Sequence, residues 1–361
     1  MSKNIYHIFP GSNTSQGFYS FFQYILPNEN AKKVIYIKGG PGTGKSSLMK
    51  KIGSIFNDKG YEIEFFHCSS DNESLDGVVI KGLNFALIDG TAPHINDPKV
   101  PGAMDGILNL GECLDEKNLS NYKEEIIKIS SDISDSFKEA YSYLASAKSL
   151  HENLSYYNHN SLDIIKLNTI KQSLIKSIFK NPRIGSGNER HLFATAFTPN
   201  GIISYIDTLY VKCKNIYTLN GGAGTGKTNI LNTIKNEAIN SGYDVQIYHD
   251  PFIPDRLEHI IIPDLDTAVL TSNEINNRTF HGTQVYMSNI MDKRYLATKK
   301  DSIEKNTETF NSLVDEAIKH LNNCKKLHDE LEKYYVSNID FQKVDMLSEN
   351  LISNLLSCEK K

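Results

Sequence analysis

Two glycine-rich loops of the same design, 182 residues apart, constrain this chain more than any other feature. The first reads Gly39-Gly40-Pro41-Gly42-Thr43-Gly44-Lys45-Ser46. The second reads Gly221-Gly222-Ala223-Gly224-Thr225-Gly226-Lys227-Thr228. Both satisfy G-x-x-x-x-G-K-[ST] without a mismatch. Each follows a short apolar run, Val34–Ile37 or Ile216–Leu219, which reads as a buried strand. Each precedes one apolar helical face: Leu48, Met49 and Ile52, or Ile230, Leu231 and Ile234. A strand, a Gly-rich turn and a helix start, in that order, turn successive backbone N–H groups toward an anion.

The likeness extends well beyond the loops. At a shift of 182, His67 falls on His249, Leu75 on Leu257, and Val78-Val79-Ile80 on Ile260-Ile261-Ile262. Upstream the shift is 184, with His7 on His191 and Phe9 on Phe193. Downstream it is 177, with Leu144, Lys148, His151 and Leu154 on Leu321, Lys325, His328 and Leu331. The chain is therefore a tandem duplication. The joint, Asn181-Pro182-Arg183-Ile184-Gly185-Ser186-Gly187-Asn188, carries Pro and Gly and no apolar period. The boundary is placed near residue 186, giving domains 1–186 and 187–361.

Each copy opens with alternating strand candidates and turns. In the first these are His7–Phe9, Val34–Ile37, Ile63–His67 and Phe85–Asp89. Each closes with apolar residues at threes and fours, Ile126 to Leu154 and Phe310 to Leu331, which turn at Asn158–Ser161 and at Ser337-Asn338. The expected fold is α/β: two duplicated P-loop NTPase domains of mostly parallel sheets flanked by helices. A long helical hairpin is expected in each, over about 120–180 and 301–357. Each hairpin is expected to pack against its own core or against the sister hairpin, or to serve as an arm for a protein partner.

At 39% hydrophobic and 23% charged, the composition is that of an ordinary globular protein. A net charge of −4 gives no footprint for nucleic acid. No apolar run has the length of a membrane span, and Met1–Ile5 opens no signal-peptide apolar region. Five scattered cysteines have no metal spacing and suit a reducing compartment. A cytoplasmic location is expected.

The loop chemistry specifies a nucleoside triphosphate, ATP or GTP, with Mg²⁺. Lys45 is placed to neutralise the β- and γ-phosphates, and the Ser46 hydroxyl to ligate the metal. Ser47 and Asn229 continue the two loops into their helices. The metal also calls for a carboxylate at the end of a neighbouring strand. Phe85-Ala86-Leu87-Ile88-Asp89 supplies it as Asp89. Gly90 follows, where many mechanical ATPases place a water-polarising Glu. The nearby polar candidates are Thr91, His94, Asp97, Asp105 and Glu112, of which His94 or Asp97 could orient water or an acceptor hydroxyl. The expected catalytic set is Lys45, Asp89 and His94; the metal set is Ser46, Asp89 and Thr228. His67-Cys68-Ser69-Ser70-Asp71 follows a strand end and is expected near the pocket.

In the second copy, Lys227 and Thr228 keep the cradle, but Thr271 falls where the first has Asp89. That copy is expected to bind nucleotide and to hydrolyse it weakly or not at all. All five arginines, Arg183, Arg190, Arg256, Arg278 and Arg294, lie in residues 183–294. Any arginine acting at the first loop therefore comes from the second copy, with Arg256 and Arg278 the candidates, or from another molecule.

The paired loops, His67–Val78, Asp89-Gly90-Thr91-Ala92-Pro93-His94, Pro101-Gly102-Ala103 and Asn109-Leu110-Gly111-Glu112 together resemble a family of tandem P-loop ATPases from Gram-positive spore-forming bacteria. The resemblance covers nearly the whole chain. It implies ATP binding and ATPase activity and names no substrate. The family often keeps an acidic Asp-Ser/Gly-Thr element in its second half, and Thr271-Ser272-Asn273 departs from it. Two other functions stay open: a small-molecule or nucleotide kinase, and a nucleotide-gated binding module without turnover. The lack of Arg in the first copy weighs against the kinase, because phosphoryl-acceptor kinases usually clamp anions with Arg.

Overall fold

The computed structural model describes residues 4–27, 29–91, 97–181 and 183–359. The first repeat runs β1 (Ile5–Ile8), β2 (Gly11–Thr14), β3 (Gly17–Ser20), β4 (Lys33–Lys38), α1 (Lys45–Asp58), β5 (Ile63–His67), β6 (Leu75–Ile80), β7 (Phe85–Asp89), β8 (Asp105–Asn109), α2 (Glu116–Leu119), α3 (Lys123–Asn160) and α4 (Ile164–Ile178). The second runs β9 (Glu189–Leu192), β10 (Thr195–Thr198), β11 (Gly201–Ser204), α5 (Ile206–Leu209), β12 (Asn215–Asn220), α6 (Lys227–Asn240), β13 (Val245–His249), β14 (Leu257–Ile262), β15 (Thr267–Ser272), β16 (Thr283–Tyr286), α7 (Lys293–Ala297), α8 (Lys300–Val336) and α9 (Phe341–Glu359).

Each repeat builds a six-stranded mixed sheet, and the strand order is the same in both. The first is β1-β5-β6-β7-β4-β8; the second, read from the matching edge, is β9-β13-β14-β15-β12-β16. β6 and β14 run antiparallel to both neighbours, and the other pairings are parallel. Connection length explains the direction. β4 reaches β5 through α1, as a parallel crossover requires, whereas only residues 81–84 join β6 to β7. That tight return holds Asn84 at φ 50°, and the matching position in the second repeat holds Asp266 at φ 47°. Asn and Asp are the side chains that tolerate this left-handed region best.

The compact units do not follow the repeat boundary. One unit comprises the described residues within Met1–Pro10, Phe22–Lys138 and His320–Lys361. The other comprises Gly11–Phe21 and the described residues within Glu139–Lys319. In the first unit, α1 and the sheet bury Ile37, Leu48, Met49, Ile52, Phe56 and Leu87 together with Val344, Ile352 and Leu355 of α9. In the second, α6 and its sheet bury Leu219, Ile230, Leu231 and Ile234 with Leu167, Leu174 and Ile178 of α4. The terminal helix of each hairpin thus seals the core of the other repeat.

The hairpin β2–β3 likewise belongs to the second unit. Asn13 is buried there, donating from Nδ2 to the Phe197 carbonyl (2.9 Å) and accepting from the Tyr141 hydroxyl (2.9 Å). The placement of α4 and α9 differs from the expected packing of each hairpin on its own core, because an apolar stripe shows that a helix face is buried but not against which core.

Candidate functional site

The first loop joins β4 to α1. Gly42 (φ 65°) and Gly44 (φ 88°) hold left-handed conformations, and Gly224 (φ 74°) and Gly226 (φ 90°) repeat them in the second loop. A Cβ is disfavoured there, so these two positions of each turn call for glycine. Lys45 folds back over its own loop and donates to the carbonyls of Gly40 (2.8 Å) and Gly39 (3.2 Å).

β7 lies directly beside β4, with Asp89 in register with Ile37. This pairing carries the Asp89 carboxylate to the loop, where Oδ2 lies 3.6 Å from Lys45 Nζ. Its other oxygen accepts from the Thr91 amide (2.8 Å), and the Thr91 hydroxyl donates to the Gly39 carbonyl (3.1 Å). The Ser46 hydroxyl accepts from the Leu75 amide (3.1 Å), which ties the start of α1 to β6. Lys45 and Asp89 are therefore brought together, with Ser46 next along the helix.

Other candidates have structural employment. Asp97 accepts from Lys38 (2.7 Å), Asp105 takes the amides of Lys99 and Val100 (2.6 and 2.8 Å), and Glu112 accepts from Asn109 (3.0 Å). His94 lies outside the described residues. His67 donates through Nδ1 to the Asn72 carbonyl and meets His7 Nδ1 through Nε2, both at 2.8 Å. His249 repeats the pairing with His191 (2.8 Å). Burial pushes both His67 and His249 down to about 4, so each ring is neutral and structural.

The end of α8 and the start of α9 cover the first loop. A methyl group on Gly40 would lie 2.5 Å from the Tyr335 ring, one on Gly42 2.6 Å from Val336, and one on Gly44 3.6 Å from Val344. Asp76 on β6 is a further acid of this region, buried and within electrostatic reach of Asp89 and Lys45. Burial first, and the Asp89 charge next, push its carboxyl up to about 8.

The second loop is covered in the same manner by α3. The Asn158 side chain donates to the Ala223 carbonyl (2.7 Å), and the Ser155 carbonyl stands where a Gly224 side chain would project. Lys227 donates to the carbonyls of Gly221 and Gly222. Desolvation in this enclosed place lowers its pKa. A cavity over the loop is lined by Gly224, Gly226, Lys227 and Thr228 with Arg256 and Thr271. The Thr271 hydroxyl is buried and makes no hydrogen bond, so no carboxylate stands at the place of Asp89. Glu274, three residues on, enters instead: its Oε1 accepts from the Ala223 amide (3.0 Å) and from His151 Nε2 (3.0 Å). Glu258, the counterpart of Asp76, is buried and pushed up to about 8, chiefly by desolvation.

Of the arginines, Arg256 lines the second loop's cavity, and Arg278 is held by Asp207 (2.8 Å) and the Ser204 carbonyl (2.9 Å). The unit holding the first loop contains no arginine. Asp76, Glu274, His151, Asn158 and Tyr335 were not expected as site residues from the sequence, although His151 recurs as His328 and Asn158 marks a hairpin turn. The available signal was an acid at matching positions of both repeats (Asp76, Glu258) and a Glu close behind Thr271. The hairpin residues gave none, since the repeat that carries them is not the one they serve.

Comparisons with models of protein families, with curated proteins and with solved structures found no match. Among the described residues, no helix is long and apolar enough to cross a membrane.

Proposed function

We propose that the chain binds a nucleoside triphosphate, ATP or GTP, with Mg²⁺ at the first loop and hydrolyses it there, while the second loop is regulatory or weakly active. One observation carries this reading: β7 sets the Asp89 carboxylate 3.6 Å from Lys45 Nζ, beside a loop whose Gly42 and Gly44 are left-handed. An ammonium, a carboxylate and a helix start around one anion nest are the parts that phosphoryl chemistry needs. The oxygen donors Ser46 and Asp89 suit a hard divalent cation. When bound, magnesium would offset charge on the phosphates.

In this reading the carbonyls of Gly39 and Gly40 hold Lys45 in waiting, and the ammonium turns to the outer phosphates. Asp89 stays fixed by the Thr91 amide. At the second loop the missing carboxylate at Thr271 supports binding without efficient turnover.

The helical turns over both loops favour a second component: nucleotide occupancy is read by the hairpins. Tyr335 and Val336 touch the first loop so closely that a ligand entering it displaces them or leans on them. This supports a nucleotide-gated switch coupled to hydrolysis more than a metabolite kinase.

Phosphate release from the purified chain with ATP or GTP and Mg²⁺ tests the reading. Lys45→Ala should lower turnover about 100-fold or more, and Lys227→Ala should change it by less than about threefold. No release by the wild type, or equal losses in both variants, would reject it.

A further inference from the structure

We infer that the second loop is a nucleoside diphosphate site, in which Glu274 fills the place of a terminal phosphate and excludes triphosphates. The inference rests on the nucleotide reading given above and names the ligand class of its second site.

The Glu274 carboxylate already occupies part of the anion nest. Its Oε1 takes the Ala223 amide of the loop at 3.0 Å and His151 Nε2 at 3.0 Å. A carboxylate only accepts, so Nε2 of His151 carries the proton. The His151 ring is buried and packs against Phe252 and Phe310, with centroids 5.3 and 5.5 Å apart. It cannot follow the carboxylate outward without unpacking, so it anchors Glu274 on the loop. Burial alone would raise the Glu274 pKa, but the His151 hydrogen bond and the Lys227 charge outweigh it and keep the group ionised.

The position along the loop defines what is displaced. In a loop of this pattern the amides leading into the helix cradle the inner phosphates, and the lysine reaches the outer ones. Gly226, Lys227 and Thr228 line the cavity, and Arg256 adds a cationic side chain to it. Glu274 instead takes Ala223, ahead of those amides, and feels the Lys227 charge. A diphosphate leaves this carboxylate in place. A triphosphate would set its most highly charged group against it, in a partly desolvated site where like charges repel strongly.

The device belongs to the second repeat alone. The residue matching Ala223 is Pro41, which has no N–H to offer a carboxylate, and the residue matching Glu274 is Ala92. Thr271 in place of Asp89 agrees with this assignment, because a diphosphate site does not need the carboxylate that steadies a metal at a reacting γ-phosphate.

The test uses the full chain with Lys45→Ala to silence the first loop. Calorimetric titration with the di- and triphosphate of adenosine, then of guanosine, is run with Mg²⁺ on this protein and on versions adding Glu274→Gln or Glu274→Ala. The diphosphate should bind at least about tenfold more tightly than the triphosphate when Glu274 is present. Either substitution should tighten triphosphate binding about tenfold or more and move diphosphate binding by less than about threefold. A di- to triphosphate ratio that neither substitution changes would overturn the inference while leaving the second loop a nucleotide site. Absence of binding to all three folded proteins would overturn both, with turnover at the first loop judged by its own assay.

Discussion

At the scale of single residues, the acids divide by environment. Asp89 sits at a strand end beside an ammonium, while Asp76 and Glu258 lie inside the sheets and are pushed up to about 8 by burial. A carboxyl whose pKa is raised on folding stabilises the native state fully below its unfolded value. That stability is lost as pH rises from the unfolded value toward about 8, because the unfolded chain releases a proton that the native state still holds. The buried histidines act in the opposite sense up to their unfolded value of 6.5, so the wild type should lose thermal stability between about pH 6.5 and about pH 8. Asp76→Asn, which keeps a neutral polar group of the same shape, should flatten part of that slope. An unchanged slope would show that Asp76 is ionised in the fold. Asp89 was legible in the sequence because four apolar residues precede it, the pattern of a buried strand emerging at a pocket. Asp76 was hidden by its surroundings: Leu75-Asp76-Gly77-Val78 carries no such pattern, and only the antiparallel pairing of β6 buries it. Glu274 was hidden for another reason, since it lies in a loop whose path no periodicity records.

At the scale of elements, strand–loop–helix units were readable because period and punctuation agree. Ile63–His67 and Phe85–Asp89 were read with their observed limits, and both helical hairpins turn where Asn and Ser cluster. β2 and β10 were not read, because Gly11-Ser12-Asn13-Thr14 buries polar side chains and Thr195-Ala196-Phe197-Thr198 buries two Thr beside Ala196 and Phe197, so neither shows an apolar alternation. The packing of α4 was equally unreadable. Its buried Leu167, Leu174 and Ile178 join α6, although α4 belongs to the first repeat. Leu174→Ala should cost about 2–5 kcal/mol, and the loss should fall on the unit that holds the second loop. Hydrogen exchange followed by mass spectrometry should show α6 amides losing protection while α1 keeps its own. Equal loss in α1 would contradict the assignment of α4.

At the scale of the whole molecule, duplication was plain in the sequence but the exchange of segments was not. A repeat boundary near residue 186 separates two similar sequences. Each compact unit nonetheless draws its last core helix from the other side of that boundary. Chains 1–186 and 187–361 made separately should each expose the apolar surface that α9 or α4 covers, and each should unfold or aggregate. Expressed together, they should recover a complex with the thermal stability of the intact chain to within a few degrees. Two stable, monomeric halves would show that each hairpin can serve its own core. The central claim, that the loop at 39–46 with Asp89 grips a triphosphate, has its most direct test in calorimetric titration of a non-hydrolysable triphosphate with Mg²⁺. The account predicts that the wild type and Lys227→Ala bind it alike and that Lys45→Ala binds it about 100-fold more weakly or not at all. Equal affinity in the wild type and Lys45→Ala, or no binding by the wild type, would contradict it.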